Sequence, residues 1–178
     1  MQDYVKPYIK MIETFAKAKD EPIELLLIGG LALSLYGLQR YTIDIDAEIR
    51  CGDETYFDLL EYLKNAGVAF NISDNISGWG IIPMPSDYKE RAKTVYNSEY
   101  LTIKILDPVD FVFSKLMRGT EEDIRDILDV IHKINITKAS ICSRKSLIRF
   151  PKDPETLFFN KKFQRLMELM NEDKQDTA

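Results

Sequence analysis

Two glycines and two aspartates are spaced so that they could handle phosphate. The chain reads Leu27-Ile28-Gly29-Gly30 and then, after thirteen intervening residues, Asp44-Ile45-Asp46. Residues 41–49 alternate strictly, with Ile43, Ile45, Ala47 and Ile49 on one face and Thr42, Asp44, Asp46 and Glu48 on the other, as a strand buried on one side does. On that strand Asp44 and Asp46 point the same way, about 7 Å apart. Two carboxylates so placed repel unless something positive lies between them. A hard divalent cation is the natural partner, and Mg²⁺ (or Mn²⁺) takes one or two carboxylates plus substrate phosphate oxygens. The glycine pair lets backbone approach a phosphate, with the N-terminus of the next helix facing its charge. Each part alone is ambiguous, because Asp-x-Asp is common on exposed strands and Gly-Gly is a turn signal. In register they describe a metal-assisted phosphoryl-transfer site. Neither G-x-G-x-x-G nor G-x-x-x-x-G-K-[ST] occurs, which excludes the common dinucleotide and Walker loops.

The elements that must position these residues follow from periodicity. Val5, Ile9, Ile12, Phe15 and Ala16 recur at helical spacing, so residues 3–18 read as an amphipathic helix with Pro7 in its first turn. The apolar run 24–28 suits a buried strand, and 31–38 a short buried helix. Asp53 is the expected N-cap of a helix through Asn65, stopped by Gly67. Residues 68–72 and 80–84 read as short strands joined through Asp74 and Asn75, and 100–106 as another alternating strand. Asp107-Pro108 opens a helix, and Thr120 caps the next, with Ile124, Ile127, Leu128 and Ile131 as its stripe. A looser stretch follows Asn135, then a helix over about 155–170 and a frayed tail from Asn171.

The chain has 178 residues, 45% hydrophobic and 30% charged, enough to close one core or a core with a helical appendage. The longest uncharged run, 25–39, is broken by Gly29, Gly30 and Gly37, so no bilayer-spanning helix is expected. The first residues carry no export signal, which points to the cytoplasm. Two cysteines and one histidine exclude a disulfide framework and a His-rich zinc site. The net charge is -5, but residues 138–165 hold eight basic against two acidic side chains, +6, which leaves -11 on the rest. Such a segment reads either as a phosphate-backbone contact or, more simply, as a solvated face. Trp79 between glycines reads as a packed aromatic or a base-stacking one, and His132 near a helix end as structural.

The string Gly29-Gly30-Leu31-Ala32, Tyr36-Gly37, Arg40, Thr42, Asp44, Asp46 resembles the signature of the polymerase-β-like nucleotidyltransferase superfamily, in the small prokaryotic branch that includes AbiEii-type toxins. Leu106-Asp107-Pro108-Val109-Asp110, Ser114-Lys115-Leu116, Arg118-Gly119 and Asp123-Ile124-Arg125-Asp126-Ile127 extend the resemblance over about residues 22–134. It implies an α+β nucleotidyltransferase fold: a mixed sheet flanked by helices, with a core over 1–107 and a C-terminal helical region over 108–178 bordering the cleft. It further implies transfer of a nucleoside monophosphate from an NTP to an acceptor hydroxyl on RNA, tRNA in particular, or on protein. A role as the toxin of a toxin–antitoxin pair, with an antitoxin protein as partner, is also implied.

By the same resemblance Gly29, Gly30, Arg40, Thr42 and Lys115 would contact nucleotide, Asp44 and Asp46 would hold Mg²⁺, and Asp126 (or Asp123) would support Lys115 or the acceptor. Arg40 has a second reading, as an ion-pair partner holding the Asp strand. The superfamily usually adds a third carboxylate from an adjacent strand. By position that strand is 80–84, which has no acid, so Asp74 is the expected third metal ligand, with Asp87 and Glu99 behind it. Without a third acid, the alternative is a degenerate nucleotidyltransferase fold that binds nucleotide or protein without turnover.

Overall fold

The computed structural model describes residues 5–39, 44–75, 82–150, 152 and 154–175, with side chains as far as 172. The elements in chain order are α1 (Lys6–Lys19), β1 (Ile23–Leu27), α2 (Gly30–Leu35), β2 (Asp44–Arg50), α3 (Asp53–Asn65), β3 (Ala69–Ser73), α4 (Tyr88–Arg91), β4 (Lys93–Asn97), β5 (Leu101–Ile105), α5 (Pro108–Leu116), α6 (Glu121–Ile134), α7 (Lys138–Lys145) and α8 (Pro154–Gln175). They fall into two compact units, Met1–Trp79 with Ala92–Leu106, and Gly80–Arg91 with Asp107–Ala178. The second unit thus includes a segment, 80–91, that sequence reasoning assigns to the core. Among the described residues no helix is long and apolar enough to cross a membrane.

The first unit is an α+β body around a mixed sheet in the order β3-β2-β1-β5-β4. β1 runs antiparallel to β2 and parallel to β5, β2 runs parallel to β3, and β4 is an antiparallel edge. Strand alternation sorts the side chains: Ile23, Leu25, Leu27, Ile45, Ala47, Ile49, Ile103 and Ile105 are buried in one row. The other row carries Glu24, Asp44, Asp46 and Lys104, with Lys104 ion-paired to Glu24 at 2.6 Å. α1 and α3 pack on each other and on β5 and β3, burying Ile9, Ile12 and Phe15 from α1 and Leu59 and Leu63 from α3. The ring of Phe15 lies 5.1 Å from that of Tyr62.

Several boundaries differ from the sequence reading, each for a local reason. α3 is capped by Gly52 rather than Asp53, and the Gly52 N–H donates to Glu21 Oε1 at 2.6 Å, so the capping carboxylate comes from a distant loop. Asp53 and Glu54 instead sit in the first turn, where their charge suits the helix dipole. Residues 82–84 form no strand, while 80 and 81 lie outside the described residues; Pro85 makes only an isolated bridge to Ile148. β4 was not foreseen because an edge strand reading Lys93-Thr94-Val95-Tyr96-Asn97 buries too little to alternate visibly.

The second unit is helical. α5 opens as expected, the Asp107 side chain accepting the Val109 N–H at 3.0 Å with Pro108 next. α6 opens on a capping box between Thr120 and Asp123. α7 lies in the stretch expected to be loose. Thr137 caps it, and it buries only Ile141 and Arg144 from one face, too little for an apolar stripe. α8 continues through Asn171 to Gln175 rather than fraying there. Phe159, Leu166 and Met170 of α8 join Val112, Phe113, Leu116, Ile127 and Ile131 in one core. Leu157 and Phe158 remain exposed.

Candidate functional site

β1 ends at Leu27 and delivers the glycine turn beside the strand that carries the aspartates. The register Leu27↔Ala47 continues one step further, because the Ile28 N–H donates to the Asp46 carbonyl at 3.0 Å. Gly29 then lies against the Asp46 side chain. A Cβ built on Gly29 would stand 1.8 Å from Asp46 Oδ2 and 2.7 Å from Asp46 Cβ. Its φ of -78° is open to any residue, so what demands glycine here is space. The Gly29 carbonyl accepts the Ala32 N–H at 3.1 Å and starts α2. At the other end of that short helix, the buried Tyr36 hydroxyl donates to the Leu106 carbonyl at 2.7 Å, tying the turn to the end of β5.

Asp44 and Asp46 are half-buried on one face of β2, while Ile45 and Ala47 are buried on the other. The alternation read from sequence therefore puts both carboxylates on the face that meets the glycine turn. Arg40, Thr42 and Trp79, also singled out from sequence, lie outside the described residues.

The expected third acid requires a correction. The strand beside β2 is β3, not 80–84, and the residue opposite Asp46 is Asn71. Asp74 follows Ser73, which pairs with Glu48, so it stands about 10 Å along the strands from the level of Asp46. Glu99 precedes Leu101, which pairs with Ile23 at the end of β1 remote from Gly29. Asp87 is occupied in the helical unit by Arg144, at 2.8 Å. Among the described residues no three His, Cys, Asp or Glu side chains gather as a metal cluster, so Asp44, Asp46 and Asp74 are not a ligand triad. Two carboxylates remain, which suits a cation that keeps other ligands from substrate.

Lys115, the other residue singled out for chemistry, is held within the helical unit. Its Nζ donates to Asp126 Oδ2 at 3.1 Å and lies 3.4 Å from Asp123 Oδ1. Asp126 is buried. Asp123 is buried as well and receives two hydrogen bonds from Arg118, at 2.7 and 2.6 Å. Burial alone would raise the Asp123 carboxyl; the Arg118 guanidinium and the Thr120 hydroxyl and N–H outweigh it and hold the carboxyl at about 2. The expected grouping of Lys115 with Asp123 and Asp126 is thus present.

The chain matches a family described as "Nucleotidyltransferase of unknown function (DUF6036)" over residues 8–153. It belongs to that family. A crystal structure of an antigenic nucleotidyltransferase-like protein from Paracoccidioides brasiliensis is similar to it, with a TM-score of 0.54 at 14% identity over 98% of this chain and 92% of that one. That likeness shows the shared α+β nucleotidyltransferase fold. No curated protein matches the chain.

The helical unit also contains a buried charge network that sequence reasoning missed. Arg144 of α7 donates to both carboxylate oxygens of Asp110 on α5, at 2.7 and 2.8 Å, and to Asp87 at 3.0 Å. Asp110 is fully buried and Arg144 nearly so. Burial pushes the Asp110 carboxyl above its ordinary value, and the two hydrogen bonds from Arg144 recover only part of that. Other charges of the basic segment are also used internally. Lys162 donates to the Arg118 carbonyl at 2.8 Å, Lys138 to the Met167 carbonyl at 2.5 Å, and Lys145 sits 4.6 Å from the Phe163 ring centre. Arg149, Lys152, Lys161 and Arg165 are exposed, Arg165 pairing with the exposed Glu168 at 3.6 Å. Of the eight basic side chains counted in sequence, four (Lys138, Arg144, Lys145 and Lys162) are buried or half-buried and four are exposed.

Proposed function

We propose that the protein is a Mg²⁺-dependent nucleotidyltransferase that moves a nucleoside monophosphate from an NTP to an acceptor hydroxyl on RNA or protein. One observation carries this reading: the Asp46 carboxylate lies against Gly29, with Asp44 on the same face of β2. Gly29 and Gly30 offer side-chain-free backbone for the triphosphate to approach, and the aspartates beside them are the residues that would hold the cation. A bound Mg²⁺ would neutralise charge on the phosphate oxygens as it shifts toward the leaving group. The acceptor oxygen forms a bond to the α-phosphorus, the bond to the bridging oxygen breaks, pyrophosphate departs, and the hydroxyl proton passes to solvent. The role assigned to Lys115, offsetting phosphate charge, rests on the resemblance alone; within the helical unit its ammonium is held by Asp123 and Asp126.

The basic segment supports an RNA acceptor less than its charge suggests, since half of its basic side chains are buried or half-buried. The toxin reading belongs to the same proposal and predicts growth arrest on expression, relieved by a neighbouring gene product.

Incubation with α-labelled NTPs, Mg²⁺ and either total tRNA or cell protein tests the reaction. Label should enter one acceptor class, and Asp44→Asn or Asp46→Asn should each lower transfer by at least about a hundredfold. Nucleotide binding without transfer to any acceptor would favour the second reading, a binding module, for which the absence of a third acid among the described residues is the specific support.

A further inference from the structure

The residues that flank Asp46 across the sheet come from two strands of opposite character. On the antiparallel side, the Ile28 N–H bond to the Asp46 carbonyl sets an aliphatic residue beside it. On the parallel side stands Asn71. Opposed residues on neighbouring strands share a face, and the strands are about 4.8 Å apart, so the Asn71 amide is within reach of whatever Asp46 binds. Its neighbours on that face of β3 carry no charge, with Ala69 opposite Asp44 and Ser73 opposite Glu48. Asn71 is exposed, and asparagine is disfavoured in strands, so packing does not account for it.

We propose that Asn71 is the third ligand-facing side chain of the nucleotide site, an inference that rests on the assignment of Asp44 and Asp46 to a cation–nucleotide complex. An asparagine offers a carbonyl oxygen that suits a hard cation and an NH₂ group that suits a phosphate oxygen, and it brings no charge. The donor set then carries two negative charges rather than three. A free divalent cation is held weakly, and the triphosphate's own oxygens complete its shell. The site therefore takes its cation as a complex with nucleotide rather than loading metal first.

Titration of the full chain with Mn²⁺, followed by electron paramagnetic resonance, tests this with and without an α,β-methylene NTP analogue. Wild type should bind Mn²⁺ weakly alone and tightly with the analogue. Asn71→Asp should bind Mn²⁺ alone about tenfold more tightly, and Asn71→Ala should bind the Mn²⁺–analogue complex about fivefold more weakly, because site affinity follows ligand charge and count. A purely structural role would not move the two variants in opposite directions. Both are at an exposed position, and thermal melts verify their folding. If both stay within twofold of wild type while Asp46→Asn loses the complex, the assignment of Asn71 is overturned and that of Asp46 stands. If Asp46→Asn also binds as wild type does, the underlying site reading fails.

Discussion

Gly29→Ala should sharply weaken nucleotide binding while leaving a folded protein. The added methyl group would lie 1.8 Å from Asp46 Oδ2, 2.6 Å from its Cγ and 2.7 Å from its Cβ. Rotating the carboxylate away relieves the first two contacts but not the third, so the turn or strand β2 must shift as well. Overpacking of this kind costs about 1–3 kcal/mol in stability, which a domain of this size survives. The effect on the site is larger, because either movement separates the aspartate from the backbone that meets the phosphates. We expect nucleotide affinity to fall at least about thirtyfold, or roughly 2 kcal/mol, by calorimetry. Gly52→Ala is the matched control. Its Cβ would meet Glu21 Oε1 at 2.8 Å, the tip of a flexible side chain that can move aside, so binding should be unchanged.

Arg144→Met should produce the largest loss of stability of any single charge deletion in the helical unit. It would leave Asp110 fully buried without the guanidinium that donates to both its oxygens. Breaking a buried pair from one side typically costs about 3–5 kcal/mol. Removing both charges as Asp110→Leu with Arg144→Met should recover more than half of that, since the desolvated carboxylate is then gone. The pH dependence gives an independent sign. The Asp110 carboxyl is already raised in the folded state by burial, and loss of Arg144 raises it further. A carboxyl whose folded pKa lies above its unfolded one favours the folded state at low pH and loses that contribution as pH rises. The single variant should therefore gain stability between pH 7 and pH 5, where wild type gains less. Urea midpoints at the two pH values measure both effects.

The parts of this molecule legible in sequence are those where one face is buried. Strict alternation made β2 visible and put Asp44 and Asp46 on one face, and the capping residues Asp107 and Thr120 marked α5 and α6. What was not legible depends on pairing. The strand beside Asp46 was sought at 80–84, but only the register shows that β3, earlier in the chain, lies there and brings Asn71. The partners Asp110 and Arg144 are 34 positions apart, and no local pattern in α7 announces that its arginine points inward. β4 and α7 escaped for a shared reason: neither buries enough apolar surface to leave a period in the sequence.

In the proposed site Asp44 and Asp46 share a cation which holds a polyphosphate against the Gly29 turn. Mn²⁺-induced relaxation of the ³¹P signals of a bound NTP analogue measures this most directly. Strong broadening of the β- and γ-phosphate resonances is expected on wild type, and none beyond free solution on the Asp44→Asn/Asp46→Asn double variant. Equal broadening on the two proteins would contradict it.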